Sequence, residues 1–280
     1  MQTIRLNNGV EMPQLGYGVF QVSPDECERS VSDAIQVGYR SIDTAQVYRN
    51  EEGVGRAIRK SGIPRSDFFV TTKVWISNAG YERALASIEE SLRRLQTDYI
   101  DLLLVHQPFG DYYGTYRAME EAYRAGKLRA IGVSNFLVDR FLDLVHFVEI
   151  PPTVNQVETH VFTQQRELQQ VTQETDTKLM SWGPFAEGKN DYFHTPTLVA
   201  IGEKYGCSAA QVALRYLLQR GIILIPKSVR RERMAQNFDI FGFTLDAEDM
   251  ERIEELDTHK PLIADHRDPD YVRLLIGISL

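Results

Sequence analysis

The feature that most constrains the fold is a regular alternation of short apolar runs and amphipathic segments along most of the chain. The run "YIDLLLVHQ" is almost continuously apolar, as expected of a strand covered on both faces, whereas "GYERALASIEESLRRLQ" has helical apolar spacing. We count eight strand-then-helix units. Such alternation predicts a parallel sheet, and eight units in about 230 residues predict an α/β protein with a closed (β/α)8, or TIM, barrel.

The two ends of the chain add short elements to this barrel. The initial "IRLNNGVEM" carries an Asn-Gly turn between alternating runs and predicts a β-hairpin. A final helix in "DAEDMERIEEL" is followed by a short tail. An open doubly wound sheet is the alternative fold, but no strand leads into a G-x-G-x-x-G turn that opens a helix. No linker divides the sequence, so residues 1–280 are expected to form a single domain.

The ends of the first helix are clearly marked. Ser23 is its predicted N-cap, Pro24 takes the first helical position and Glu26 takes the capping-box position. Gly38 is the predicted C-cap.

Composition and charge narrow the class of protein. The 280 residues carry a net charge of −8, which argues against a nucleic-acid partner because phosphate backbones select basic surfaces. No apolar run is long enough to span a bilayer, and "MQTIRLNNGVEMPQLG" lacks the apolar core of a secretory signal. The cysteines, Cys27 and Cys207, and the histidines show no metal-ligand spacing. We therefore expect a cytoplasmic protein with no membrane partner and no metal site.

Polar residues stand where the predicted strands end. Asp43 closes the second strand, Lys73 lies near the end of the third, and His106 closes the fourth. Barrel enzymes carry their active sites at the carboxyl ends of the strands, so these side chains should meet at one mouth. Asp43 and Lys73 are costly to bury alone and should pair. A structural ion pair beside a core histidine is the alternative, but the addition of Tyr48 favours catalysis.

These four residues suit the protonation of a carbonyl oxygen. A tyrosine has an ordinary pKa of about 10, and a nearby cation such as Lys73 would favour its phenolate and lower that value. Asp43 would hold Lys73 in place and keep it charged, and His106 would orient the carbonyl oxygen. Because no side chain donates hydride, such a site requires a cofactor.

A basic cluster follows the last predicted strand. Lys227, Arg230 and Arg233 crowd the start of a short helix, and a helix N-terminus with cations is suited to a phosphate group. Barrels often bind phosphate at this place. A solvated basic helix face is the alternative for "RRER", but Lys227 and Ser228 at the strand end favour a binding site.

Seven stretches together resemble the aldo-keto reductase family, over nearly the whole chain: "SIDTAQVYRNEEGVGRAI", "VTTKVW", "LLLVHQP", "GKLRAIGVSNF", "NQVETH", "SWGPFAEG" and "IPKSVRRERMAQN". "SWGPFAEGKN" is similar to the bacterial 2,5-diketo-D-gluconate reductase-like branch. The resemblance implies a (β/α)8 barrel, usually monomeric, that reduces aldehydes and ketones with NADPH. It places the family's catalytic residues on Asp43, Tyr48, Lys73 and His106, with Tyr48 as the general acid.

The resemblance also implies a cofactor site. It implies that Ser134, Asn135 and Gln156 form hydrogen bonds with the nicotinamide carboxamide and that Trp182 stacks on the nicotinamide ring. It also implies that "KSVRRER" binds the 2′-phosphate. A 2′-phosphate needs cationic partners, which favours NADPH over NADH. The full implied set is Gly18, Asp43, Ser134, Asn135, Gln156, Trp182, Lys227, Ser228, Val229, Arg230, Arg233, Gln236 and Asn237.

The substrate site is implied in the same way, at Phe20, Tyr48, Trp75, His106, Gln107 and Phe109. The alternative for the three pocket aromatics, Phe20, Trp75 and Phe109, is a role as hydrophobic anchors of loops. Gln107 departs from the family, in which many members have Trp after the catalytic histidine, so that wall is expected to be more polar. The short tail is expected to leave the pocket open to small aldehydes, α-ketoaldehydes and keto sugars.

Two other functions are compatible with this sequence. A Schiff-base aldolase would use Lys73 with a lowered pKa, whereas Asp43 on the neighbouring strand keeps a lysine protonated. A non-catalytic nucleotide sensor would share the barrel, but the complete set of four catalytic residues argues against it.

Overall fold

The computed structural model describes residues 2–280 and confirms the (β/α)8 barrel. The antiparallel hairpin pairs β1 (Thr3–Arg5) with β2 (Glu11–Pro13). Eight parallel strands then follow one another around a single sheet: β3 (Tyr17–Gly18), β4 (Ser41–Asp43), β5 (Phe69–Val74), β6 (Leu102–Val105), β7 (Ile131–Ser134), β8 (Val154–Glu158), β9 (Lys178–Trp182) and β10 (Ile223–Leu224). The ring closes where Leu15 forms a parallel bridge with Leu224.

The helices surround this ring: α1 (Pro24–Val37), α2 (Glu51–Lys60), α3 (Tyr81–Leu95), α4 (Tyr112–Arg124), α5 (Val138–Phe147), α6 (Arg166–Thr172), α7 (Pro196–Tyr205), α8 (Ala209–Gln219), α9 (Arg231–Phe238), α10 (Ala247–Glu254) and α11 (Pro269–Gly277). The predicted limits of α1 are confirmed. The Ser23 side chain accepts a hydrogen bond from the Glu26 backbone N–H, and Gly38 ends the helix at φ 126°.

The strands contribute side chains to two apolar clusters, one on each face of the sheet. In β6, Leu102 and Leu104 belong to the cluster inside the barrel, whereas Leu103 and Val105 belong to the cluster beneath the helices. Side chains alternate across a strand, so a strand that is covered on both faces must be apolar throughout. The hairpin supplies Leu6 and Met12 to the inner cluster and so closes the barrel floor.

The tail differs from the sequence-based expectation, because it contains α11. Asp268 caps this helix by accepting hydrogen bonds from the N–H groups of Asp270 and Tyr271, and Pro269 occupies its first turn. The motif was present in the sequence as "DPDYVRLLIG", but only Leu275 of the helix is fully buried. This shallow burial explains why the apolar pattern was weak.

A buried carboxylate fastens the end of the barrel opposite the mouth. Asp101, immediately before β6, is fully buried. Its Oδ2 accepts hydrogen bonds from the Val70 backbone N–H at 2.9 Å and from Arg65 Nη2 at 2.7 Å, and its Oδ1 accepts one from Arg129 Nη1 at 2.6 Å. One side chain therefore ties together the segments that lead into β5, β6 and β7.

Replacing Asp101 with alanine should lower the free energy of unfolding by about 2–4 kcal/mol, because Arg65, Arg129 and a strand N–H lose their shared acceptor. Urea titration followed by circular dichroism measures the change. Asp98→Ala is the matched control, since Asp98 is exposed nearby, and it should change stability by less than about 0.5 kcal/mol. Equal effects of the two variants would contradict the assigned role of Asp101.

Candidate active site

The carboxyl ends of the barrel strands surround a cleft of about 930 Å³. Asp43, Tyr48 and His106 line this cleft. Lys73 lies behind them and is completely buried. In β5, Lys73 falls on the same face as Phe69, which belongs to the inner cluster, so strand alternation directs the lysine into the barrel. The structure thus brings the four predicted residues together.

A buried ion pair forms the base of the site. Lys73 Nζ donates to Asp43 Oδ1 at 2.5 Å and to the Thr44 backbone oxygen at 2.8 Å. Gln156 Nε2 donates to the second carboxylate oxygen, Asp43 Oδ2, at 2.7 Å. Burial raises the pKa of Asp43 and lowers the pKa of Lys73, and the attraction between the two groups opposes both changes. Both charges are therefore paired and hydrogen-bonded, as burial requires.

Two polar residues fix the segment that carries Tyr48, and the sequence analysis did not identify either of them. Gln46 Oε1 accepts hydrogen bonds from the Trp75 N–H at 3.0 Å and from Asn78 Nδ2 at 2.9 Å. Asn50 Nδ2 donates to the backbone oxygens of Val19 and Val22, each at 3.0 Å. Their signal was two uncharged polar residues flanking the tyrosine in "DTAQVYRNE". They hold a 3₁₀ turn, Gln46–Tyr48, directly after β4.

Tyr48 lies above the ion pair with its ring half-buried. Lys73 Nζ is 5.0 Å from the ring centroid, and the His106 ring meets it edge-on at 5.7 Å. Burial, with a further contribution from Asp43, raises the pKa of Tyr48 well above its ordinary value. This differs from the expected lowering by Lys73. The reason is that burial disfavours the charged form of the phenol and that Asp43 offsets the charge of Lys73, so the phenol stays protonated at neutral pH.

His106 is also held in its neutral form. Burial, the charge of Lys73 and a nearby His266 lower the pKa of its imidazole well below the ordinary value. The ring packs edge-on against Trp75 at 5.0 Å, and its buried Nδ1 has no hydrogen-bond partner among residues 2–280. A neutral imidazole and a protonated phenol are two hydrogen-bonding groups without net charge, which suits a carbonyl oxygen between them.

The four residues predicted to hold the nicotinamide lie together along one wall. Asn135 Nδ2 donates to Ser134 Oγ at 3.1 Å and to the His106 backbone oxygen at 3.0 Å. Trp182 Nε1 donates to Asn135 Oδ1 at 2.9 Å. Asn135 has a left-handed backbone, φ 65°, which asparagine tolerates better than most residues. All four, with Gly18 of β3, line the cleft.

The basic cluster extends from the rim of the same cleft. Lys227 lines the cleft. Arg230 and Arg233 are exposed at the start of α9, and within residues 2–280 neither makes an ion pair. The remaining predicted positions, Ser228, Val229, Gln236 and Asn237, do not line the cleft but lie on the same loop and helix, where Asn237 is buried. This basic cluster lies near the Trp182 indole and the amide side chains of Asn135 and Gln156 in the same cleft. Together these groups fit a phosphorylated pyridine nucleotide.

The predicted substrate residues divide into two groups. Phe20, Trp75 and Gln107 line the cleft with Tyr48 and His106. Phe20 is 51% exposed and its ring centroid lies 5.1 Å from that of Tyr48. Phe109 does not line the cleft: it stacks behind His266 at 6.4 Å. A loop aromatic can support a wall without facing the ligand, and the sequence could not separate these positions.

The tail contributes more of the cleft than its length suggested. Six of its residues line the cleft: Ile263, Ala264, His266, Tyr271, Leu275 and Ile278. Glu158, at the end of β8, was not identified from the sequence, and it accepts hydrogen bonds from the N–H groups of Leu262, Ile263 and Ala264 at 2.7–2.9 Å. Trp75 Nε1 donates to the Ile278 oxygen at 2.8 Å. The short tail is therefore fastened at the cleft and forms part of its lining.

Two further expectations concern metals and membranes. In residues 2–280, no group of three or more histidine, cysteine, aspartate or glutamate side chains is placed to hold a metal ion. No helix in the same range combines the length and apolar character needed to cross a bilayer.

Known proteins resemble this chain over most of its length. The model of the aldo/keto reductase family matches residues 12–258. Glyoxal reductase of Bacillus subtilis is 48% identical over 256 residues, covering 91% of this chain and 92% of that protein. Methylglyoxal reductase DkgA of Escherichia coli is 39% identical over 262 residues, covering 92% of this chain and 94% of that protein.

A solved structure gives the same result. The crystal structure of a Bombyx mori aldo-keto reductase in complex with NADP superposes with a TM-score of 0.88 at 35% identity, covering 94% of each chain. A family model that matches most of the chain, relatives of nearly full length and a shared barrel all agree. The chain belongs to the aldo/keto reductase family.

Proposed function

We propose that this protein reduces aldehydes and ketones to alcohols, with NADPH as the hydride donor and Tyr48 as the proton donor. The observation that carries the proposal is the buried Lys73–Asp43 ion pair beneath a protonated phenol, with a neutral imidazole beside it. NADPH, when bound, supplies the hydride that reduces the carbonyl carbon.

The four residues divide the remaining work. His106 and Tyr48 hold the carbonyl oxygen at the cleft wall, and Tyr48 gives its proton to that oxygen as negative charge develops there. Loss of the proton leaves a phenolate close to Lys73, which then stabilises it. Asp43 and Gln156 keep the ammonium group in place for this step. The ion pair therefore stabilises the negative charge that develops on Tyr48 as its proton is transferred.

The cofactor residues are proposed from their positions. Trp182 offers an aromatic surface to the nicotinamide, with Ser134, Asn135 and Gln156 beside it. Lys227, Arg230 and Arg233 make no ion pair within residues 2–280 and offer positive charge to the 2′-phosphate. Charge-assisted hydrogen bonds to phosphate are stronger than neutral ones, which favours NADPH over NADH.

The aldolase alternative receives no support. A Schiff base requires a lysine amine that can reach the substrate, whereas Lys73 is fully buried and donates to Asp43 and to Thr44.

The substrates are proposed to be small aldehydes, α-ketoaldehydes or keto sugars. The names of the glyoxal and methylglyoxal reductase relatives support this class. We further infer a cytoplasmic protein without a nucleic-acid partner, which two free thiols and the net charge of −8 support. We also infer a single-domain monomer, which the single barrel and the family resemblance support.

Replacing Tyr48 with phenylalanine should lower kcat by about 10²–10⁴-fold, because the proton donor is lost while the ring remains. NADPH oxidation followed by absorbance with methylglyoxal measures the loss, and fluorescence quenching should show NADPH binding nearly unchanged. Tyr123→Phe is the matched control, since that half-buried tyrosine on α4 does not line the cleft. Wild-type turnover in Tyr48→Phe would show that another group is the acid.

Replacing Arg233 with alanine should weaken NADPH binding by about 10–100-fold, since one charge-assisted contact with the 2′-phosphate is lost. NADH binding should change little. Quenching titrations with both nucleotides measure the two constants. Arg59→Ala is the control, because Arg59 is exposed on α2, away from the cleft. Equal losses for NADPH and NADH would contradict the phosphate assignment.

A further inference from the structure

We propose that Gln107 selects carbonyl substrates that carry a second oxygen on the carbon next to the reacting carbonyl, as in α-oxoaldehydes and α-hydroxyaldehydes. This inference rests on the proposed reduction and narrows its substrate class.

Gln107 presents a free hydrogen-bond donor to the cleft. It follows His106 directly, is 6% exposed and lines the cleft. Its Oε1 accepts a hydrogen bond from His266 Nε2 at 2.9 Å. Within residues 2–280, the Gln107 Nε2 atom has no hydrogen-bond partner. It is also not one of the polar atoms that are buried away from solvent without a partner. The amide N–H groups are therefore open to a bound molecule.

His266 holds the amide in this orientation. Its ring stacks on Phe109 at 6.4 Å with an interplanar angle of 21°, and it meets Tyr271 edge-on at 5.5 Å. Burial lowers the pKa of His266 to about 4, so the ring is neutral at neutral pH. With its proton on Nε2, a neutral ring donates to Oε1 and leaves the amide N–H groups toward the cleft.

The surroundings make this donor selective. Apolar side chains of Phe20, Trp75, Leu275 and Ile278 line much of the same cleft. A substituent oxygen on the substrate satisfies the Gln107 donor, whereas an alkyl substituent displaces water and leaves the donor unpaired. The amide has no charge, so it suits an oxo or hydroxyl oxygen in particular. Proximity to His106 places this contact close to the reacting carbonyl.

The test compares three aldehydes of similar size with NADPH: methylglyoxal, lactaldehyde and propanal. In Gln107→Leu, the kcat/KM ratios of methylglyoxal and of lactaldehyde to propanal should each fall by about tenfold relative to wild type, the value of one hydrogen bond. His266→Phe keeps a ring against Phe109 but loses Nε2, and it should lower the same ratios by a smaller factor. NADPH quenching verifies that each variant is folded.

The controls separate this inference from the function on which it rests. Gln170→Leu changes an exposed glutamine on α6 and should leave the ratios unchanged. Unchanged ratios in Gln107→Leu, with wild-type enzyme active on all three aldehydes, would overturn the role of Gln107 alone. If Gln107→Leu does not fold, Gln107→Met is judged by the same ratios. No NADPH oxidation by wild type with any aldehyde would overturn the proposed reduction as well.

Discussion

The Lys73–Asp43 ion pair is the interaction on which the rest of the site depends. Two opposite charges are buried together, and such a pair is tolerated only when each charge has further hydrogen bonds. Thr44 and Gln156 provide them here. Because the pair is neutral as a whole, it leaves Tyr48 protonated before the reaction. The same ammonium group lies close to Tyr48 and stabilises the phenolate once the proton has been transferred.

The barrel positions the two members of that pair near the carboxyl ends of neighbouring strands. Strand alternation directs Lys73 and Asp43 inward above an apolar floor that includes Phe69, Leu102 and Met12. A second buried carboxylate, Asp101, fastens the opposite end through Arg65 and Arg129. The rigid strands therefore carry the ion pair, while the loops and the tail carry the groups that meet the substrate.

The sequence predicted the barrel, its hairpin and the four residues at the mouth, because each depends on local periodicity or on a strand end. Three features required contacts between distant segments. Gln46 and Asn50 support Tyr48 through partners on other loops, and Glu158 binds the N–H groups of the tail about a hundred residues later in the chain. The raised pKa of Tyr48 depends on how burial and a neutralised lysine combine, which spacing alone does not reveal.

Gln107 shows how such contacts separate specificity from chemistry. The residue adjoins His106, yet its orientation is set by His266 of the tail, and the tail is set by Glu158 and by the Trp75–Ile278 hydrogen bond. A change in the tail can therefore alter which substituent the cleft accepts without moving Lys73 or Asp43. Conversely, the ion pair makes no contact that distinguishes one carbonyl from another. The two functions lie on different parts of the fold and can vary independently.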